Sequence, residues 1–259
     1  MLLAQISDTH IALDAPDSDQ RLRDFADSVS DILSLAPAPD AIVHTGDIVH
    51  NGRPDEYAEA LAILAPARLR IPVYVIPGNK DNRAHLLDAF SGDGYVAADS
   101  PFFDYSVDDL PIRLIALDTL CTGNNKGDFC AERAKRLAAL IGRDEKKPIA
   151  VICHHPPFEV PVGPDPVNFI TTEAMQRLRD GLSGCERIKG VLCGHVHRFA
   201  EGKLGHIPAV VTTSVATMLR KGEYPAAMKG RPVYYLHHFD AKSGLRSEIR
   251  VAGAVAGRP

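Results

Sequence analysis

Five times along this chain a short apolar run stops abruptly at a cluster of Asp, His or Asn: Met1 to Ile6 before Ser7-Asp8-Thr9-His10, Ala41 to Thr45 before Gly46-Asp47, Val73 to Ile76 before Pro77-Gly78-Asn79, Ile149 to Cys153 before His154-His155, and Ile188 to Leu192 before Cys193-Gly194-His195-Val196-His197. Runs of this length, bounded by turn residues, read as strands with little polar surface. Open α/β sheets hold their ligands at the carboxyl ends of such strands. A recurrent polar cluster at that end therefore constrains both the fold and the place of the site.

Between the runs the apolar period changes to that of a helix. Leu22, Phe25, Ala26, Val29 and Leu33 recur at helical spacing, and Pro37-Ala38-Pro39-Asp40 ends that helix. Pro54, followed by Asp55 and Glu56, opens a second helix with acids in its first turn, where the helix dipole favours them. Leu86, Leu87 and Phe90 indicate a short helix, and Ala131 to Ile141 and Thr172 to Leu182 indicate two more. The runs Phe102 to Val107 and Ile112 to Leu117 flank Asp108-Asp109-Leu110-Pro111 as a hairpin.

Beyond Phe199 the pattern becomes β-rich, with strands expected at Ala209 to Thr213, Val233 to Leu236 and Ile249 to Val251. The irregular segment 221–232, rich in Gly, Pro and Met, suits a lid, a homo-oligomer contact or a plain loop. Strands alternating with helices, then added antiparallel strands, indicate a layered α/β sandwich rather than a simple doubly wound sheet. With 259 residues and 45% hydrophobic content, one domain spanning 1–259 is expected, with 200–259 as its β-rich C-terminal part.

The formal net charge of -4 and the lack of a long basic run argue against a dedicated nucleic-acid binder. The N-terminal run is too short, and lacks the basic flank, for a signal peptide, and no stretch approaches the about 18 apolar residues that cross a bilayer. A cytoplasmic protein without membrane association is expected. Five cysteines without CxxC spacing suggest neither a disulfide framework nor a zinc knuckle, and Cys153 and Cys193 read as small buried thiols.

On its own, Gly194-His195-Val196-His197 is explained as well by one core His beside one surface His as by a metal site. The other clusters change the balance. If the strands are neighbours, Asp8, His10, Asp47, Asn79, His154, His195 and His197 converge, which is more than one tetrahedral metal needs and suits two metals sharing a carboxylate.

The ordered set Asp8-x-His10, Gly46-Asp47, Gly78-Asn79-x-Asp81, His154-His155-Pro156 and Gly194-His195-x-His197 resembles the calcineurin-like metallophosphoesterases. Ser7-Asp8-Thr9-His10 and Gly46-Asp47-Ile48-Val49 with Gly52-Arg53-Pro54 look most like the bacterial class III cyclic-nucleotide phosphodiesterases and the related metal-dependent glycerophosphodiesterases. The resemblance covers residues 1 to about 200, and the tail matches only in β character. It implies a four-layer αββα sandwich of two mixed sheets flanked by helices. It also implies that Asp8, His10 and His197 hold one metal, that Asn79, His154 and His195 hold a second, and that Asp47 bridges them.

The activity so implied is hydrolysis of a small phosphodiester, a 3′,5′-cyclic nucleotide or a glycerophosphodiester. Two metals about 3.5–4 Å apart can activate a bridging water as hydroxide and stabilise an in-line displacement. Imidazoles with carboxylates suit Fe, Mn, Zn or Co. A nucleotide phosphomonoesterase or pyrophosphatase differs only in pocket shape, and a non-catalytic scaffold of the same fold is the third reading.

The chain departs from the family at one position, where a His usually follows the Gly-Asn pair and this chain has Lys80. The family assigns that His to stabilising the phosphoryl group and protonating the leaving oxygen. The Lys80 ammonium can keep the electrostatic part of the role; the rival readings are that Lys80 points to solvent and leaving-group help is weak, or that Asp81 or His155 has taken it over. His155 reads equally as a structural His. His50 and Asn51 are candidates to line the pocket, and Asp118 reads equally as a support for a ligand His or as a turn residue. His44, His206, His237 and His238 read as structural, and His85 as a surface residue.

Overall fold

The structure is a computed structural model that describes residues 1–97, 100–143, 146–161, 166–240 and 244–253. Its strands fall where the apolar runs end in polar clusters. Strands β1 (Leu2–Ile6), β2 (Ala41–His44) and β3 (Val73–Val75) run parallel in one sheet. Helix α1 (Ser18–Leu33) connects the first pair and α2 (Pro54–Arg68) the second, in the βαβ manner that parallel pairing requires. Helix α3 (Arg83–Phe90) follows β3, its first turn held by the Asn82 side chain, which accepts from the backbone N–H groups of Ala84 and His85.

The second sheet begins with the expected hairpin. Strands β4 (Tyr105–Val107) and β5 (Arg113–Leu117) are antiparallel. Helix α4 (Ala131–Gly142) leads to β6 (Ile149–Cys153), and α5 (Thr172–Ser183) leads to β7 (Ile188–Cys193). Strands β8 (Ala200–Leu204) and β9 (Ile207–Val211) form a hairpin whose second strand pairs in parallel with β7. The chain then returns to the first sheet as β10 (Val233–Asp240) and β11 (Gly244–Val251). The two sheets have the orders β11-β10-β1-β2-β3 and β4-β5-β6-β7-β9-β8, and both are mixed.

The period-two alternation of β5 to β7 shows why there are four layers. Leu114, Ala116, Ala150, Ile152 and Leu192 join a cluster with the residues of the first sheet and of α1 to α3. Their alternate neighbours Ile115, Leu117, Val151, Cys153, Val191 and Cys193 face α4 and α5 instead. The inner faces of the two sheets approach closely at Gly190 of β7, where an added Cβ would lie 2.6 Å from a methyl of Leu245 on β11. The α/β class and the two mixed sheets between helices are thus as the resemblance implied.

Strand β8 is absent from the sequence expectations because Ala200-Glu201-Gly202-Lys203-Leu204 has no apolar alternation. It forms because β9 offers it an edge, and its pairing supplies what its composition lacks. Strand β10 runs four residues beyond the expected Leu236, since His237 is buried between Gln5 and Ser247 and so continues the inner face.

Candidate metal centre

All five loops that carry the polar clusters meet between the carboxyl ends of β1, β2, β3, β6 and β7. The loops after β1 and β2 are joined backbone to backbone: Asp8 N–H donates to Gly46 O, His10 N–H to Asp47 O and Ile11 N–H to Ile48 O, each at 3.0 Å. Asp8 reaches across to the other sheet, where its carboxylate accepts the His195 N–H at 3.0 and 3.2 Å. Gly194 allows that approach, because a Cβ there would stand 2.0 Å from Ser7 Oγ.

The non-glycine residues with positive φ among those described are Asp8 (55°), His10 (45°), Asp47 (51°), His195 (76°) and His197 (56°). L-residues adopt this region at a cost, and where several share it the surroundings must enforce it. All five belong to the set expected to hold metal.

The side chains form two adjoining groups. In the first, His10 Nε2 lies 3.0 Å from His197 Nε2, and His197 Nε2 lies 3.2 Å from Asp8 Oδ1. In the second, Asn79 Oδ1 lies 2.9 Å from His195 Nδ1 and 3.1 Å from His154 Nε2. Asp47 stands between them, with Oδ2 3.4 Å from His10 Nε2 and Oδ1 3.6 Å from His154 Nε2.

The tautomers follow from the outer partners. His154 Nδ1–H donates to Thr45 O at 2.7 Å, and His197 Nδ1–H donates to Leu219 O at 2.9 Å. The His154 ring, kept neutral by burial, therefore turns an Nε2 lone pair inward, toward Asn79 and Asp47 oxygens that are also acceptors, whereas the His197 ring pairs with Asp8. Acceptors facing acceptors at this range call for a cation between them.

The charge balance agrees. Burial pushes His10 and His195 well below the ordinary imidazole range, and lowers His154 too. Burial and then the charge of Asp8 push Asp47 up to about 8. Burial would also raise Asp8, but the charge and hydrogen bond of His197 outweigh it and hold that carboxyl well below its usual range. In the same pair His197 loses basicity to burial and regains more from Asp8. Two buried acidic side chains ringed by imidazoles, of which His10, His154 and His195 are held neutral by burial while His197 pairs with Asp8, form a donor set that fits metal ions.

The group opens on a cleft of about 390 Å³, whose other walls include His50, Lys80, Asn125, Lys126, Asn168 and Lys221. His50 and Lys80 thus reach the cleft, while Asn51 is bound to Glu56 and Asp14 instead. Asp81 lies behind the cleft. Its carboxylate accepts from the N–H groups of Ile48, Val49 and Gly78 and from the Tyr57 hydroxyl. The rings of His155 and His195 are 4.4 Å apart, but both nitrogens of His155 are engaged away from the cleft: Nε2–H donates to Asn125 O at 3.3 Å, and Nδ1 accepts from Thr119 Oγ1 at 2.8 Å. Neither residue presents a free group for leaving-group help.

Asp118 accepts from Arg83 and from the N–H groups of Phe103 and Leu120, and so supports loops rather than a site histidine. Sequence reasoning missed Asn125, Lys126, Asn168 and Lys221, which lie in loops without periodicity. The polarity of Asn124-Asn125-Lys126 is a signal for the first two, and Lys221 opens the irregular segment 221–232 for which a lid is one reading.

A profile of the calcineurin-like phosphoesterase family matches residues 1–199. The chain belongs to that family. Within it, glycerophosphodiester phosphodiesterase GpdQ of Enterobacter lignolyticus is 33% identical over 224 residues, which are 82% of this chain and 78% of that protein. The 3′,5′-cyclic adenosine monophosphate phosphodiesterase CpdA of Pseudomonas aeruginosa is 27% identical over 227 residues, 86% of this chain and 79% of that one. A dimetal phosphatase from Danio rerio superposes with a TM-score of 0.68 at 14% identity, covering 98% of this chain and 99% of that one, a likeness of fold. The calcineurin-like phosphoesterase match ends where β8 begins, so β8 to β11 lie outside it.

Proposed function

We propose that this protein is a metal-dependent phosphodiester hydrolase acting on small diesters, either 3′,5′-cyclic nucleotides or glycerophosphodiesters. The position of Asp47 supports it most directly, because its two oxygens face ring nitrogens of two separate groups, His10 Nε2 and His154 Nε2. Asp8, His10 and His197 would hold one ion and Asn79, His154 and His195 the other, with Asp47 shared and Fe, Mn, Zn or Co as the fitting elements. Bound there, such a pair supplies Lewis acidity toward phosphoryl oxygens and a water deprotonated at neutral pH.

The protein's own groups do the rest. Lys80, Lys126 and Lys221 make the cleft wall cationic and attract an anionic ester. Lys80, at the cleft wall, would donate a hydrogen bond to a phosphoryl or leaving oxygen, keeping the electrostatic part of the role that the family's His performs. Val167 and Leu219 add apolar wall that limits water. No helix of the described residues is long and apolar enough to cross a membrane. Residues 1–259 would act as one domain, in the cytoplasm.

The test is steady-state kinetics of metal-reconstituted protein on 3′,5′-cyclic AMP, 2′,3′-cyclic AMP and glycerophosphodiesters in parallel. Metal-dependent turnover of at least one diester is expected. Turnover of nucleoside monophosphates or pyrophosphates alone would replace this reading with a phosphomonoesterase or pyrophosphatase. Failure to retain any transition metal would favour a scaffold.

A further inference from the structure

Lys80 is a long, flexible cation, and a residue that replaces a rigid imidazole needs something to aim it. Its backbone is fixed, since the Lys80 N–H donates to Asp47 Oδ1 at 2.7 Å. Its ammonium donates to Asn125 Oδ1 at 3.2 Å. The same oxygen accepts from Asn79 Nδ2 at 3.4 Å, which turns Asn79 Oδ1 toward His154 and His195.

Asn125 belongs to a loop that is itself held. His155 Nε2–H donates to Asn125 O, and Gly127 lies so close to the His155 ring that an added Cβ would sit 2.7 Å from it. Gly127 also pairs with the 168–170 segment, its N–H donating to Asn168 O at 2.9 Å while its carbonyl accepts from Ile170 N–H at 2.8 Å. Asp128 N–H returns to Thr119 O, and the Thr119 hydroxyl donates to His155. The buried His155 therefore ties to the core the loop that presents Asn125.

From this geometry we infer that Asn125 is a positioning residue for Lys80, and that His155 acts on the reaction through the Asn125 loop. A lysine has four side-chain torsions to fix, and one directed acceptor at the cleft wall removes much of that freedom before an ester arrives. Removing Asn125 should leave the charge in place but not its aim. The loss should then appear where the hydrogen bond of Lys80 matters most, on esters with a poor leaving group. The kinetic half of this inference rests on the diesterase reading; the placement of Lys80 does not.

The experiment has two arms. In the first, metal-free protein is reductively methylated and the labelling of Lys80 is measured by peptide mass spectrometry against the exposed Lys203. Asn125→Ala should speed Lys80 labelling about fivefold, the size of one net hydrogen bond, while Asn125→Asp, which still accepts, restores the slow rate. In the second, at saturating metal, Lys80→Ala, Asn125→Ala and the double variant are compared on bis(4-nitrophenyl) phosphate and on a diester with an alkyl leaving group. Both single variants should lose more kcat on the alkyl ester, and the double variant should lose no more than Lys80→Ala.

Unchanged labelling of Lys80 in Asn125→Ala overturns the inference, and so do losses that multiply in the double variant. If the wild type turns over no diester, the proposed function fails while the labelling arm still decides whether Asn125 places Lys80.

Discussion

The Lys80 N–H donates to Oδ1 of Asp47 at 2.7 Å, so the loop after β3 is hung on the carboxylate that stands between the two groups of donors. That bond leaves Asp47 shared among three duties: facing His10, facing His154 and fixing Lys80. The site is therefore one connected object, and changes at its parts should be separable by where they fall.

His195 and His197 are two residues apart yet face different partners, Asn79 in one case and Asp8 with His10 in the other. His195→Ala and His197→Ala should each lower bound metal from two ions toward one per chain, by weakening different sites. Element analysis of dialysed protein, with anomalous diffraction to locate the remaining ion, checks this. Asp47→Ala should lower both.

Gly78 should not accept a side chain. An added Cβ would lie 2.2 Å from Asp47 Oδ1 and 2.3 Å from Asp47 N, backbone that cannot swing aside. Gly78→Ala should cost roughly 1–3 kcal/mol of stability through overpacking and reduce turnover by more than removal of Lys80 does. Denaturant unfolding and kcat measure the two effects.

Asp81 organises the loops around Asp47 from behind the cleft. Replacing it with Asn puts an NH₂ where one oxygen now accepts two hydrogen bonds, which should cost about 1–3 kcal/mol for the donors left unpaired. Tyr57→Phe removes only one of those bonds and should cost about 1 kcal/mol. Urea unfolding of both variants tests the order.

His237 sets a pH dependence remote from the site. Burial, then the charge of His238, pushes it down to about 3, so it is neutral when folded. The unfolded chain takes up a proton near pH 6.5 and the folded one does not, so this stability is full above about pH 6.5 and is lost as pH falls toward 3. In metal-free protein the stability advantage of wild type over His237→Gln should shrink on acidification, by at most about 1.4 kcal/mol per pH unit.

Much of this was legible because the strands carry continuous apolar runs and the site residues follow them at once. Asp8, His10, Asp47, Asn79, His154, His195 and His197 could be placed together from strand ends alone. The loops that complete the cleft could not, because Asn125 is held by a bond from His155 and Lys221 by one from its N–H to His197 O, and such contacts leave no period in the sequence. The placement of Asp81 was hidden for a related reason: Asn79-Lys80-Asp81 is three consecutive polar residues, and only the turn of the backbone decides that Lys80 faces the cleft while Asp81 faces Ile48 and Val49. Strand β8 was illegible because pairing, not composition, forms it.

The most direct measurement compares bis(4-nitrophenyl) phosphate with 4-nitrophenyl phosphate as substrates of metal-reconstituted protein, with a chelator-treated sample alongside. A higher kcat/KM on the diester, abolished by chelation and restored by metal, is the expected result. A clear preference for the monoester, or turnover that survives complete removal of metal, would contradict a two-metal phosphodiesterase centred on Asp47.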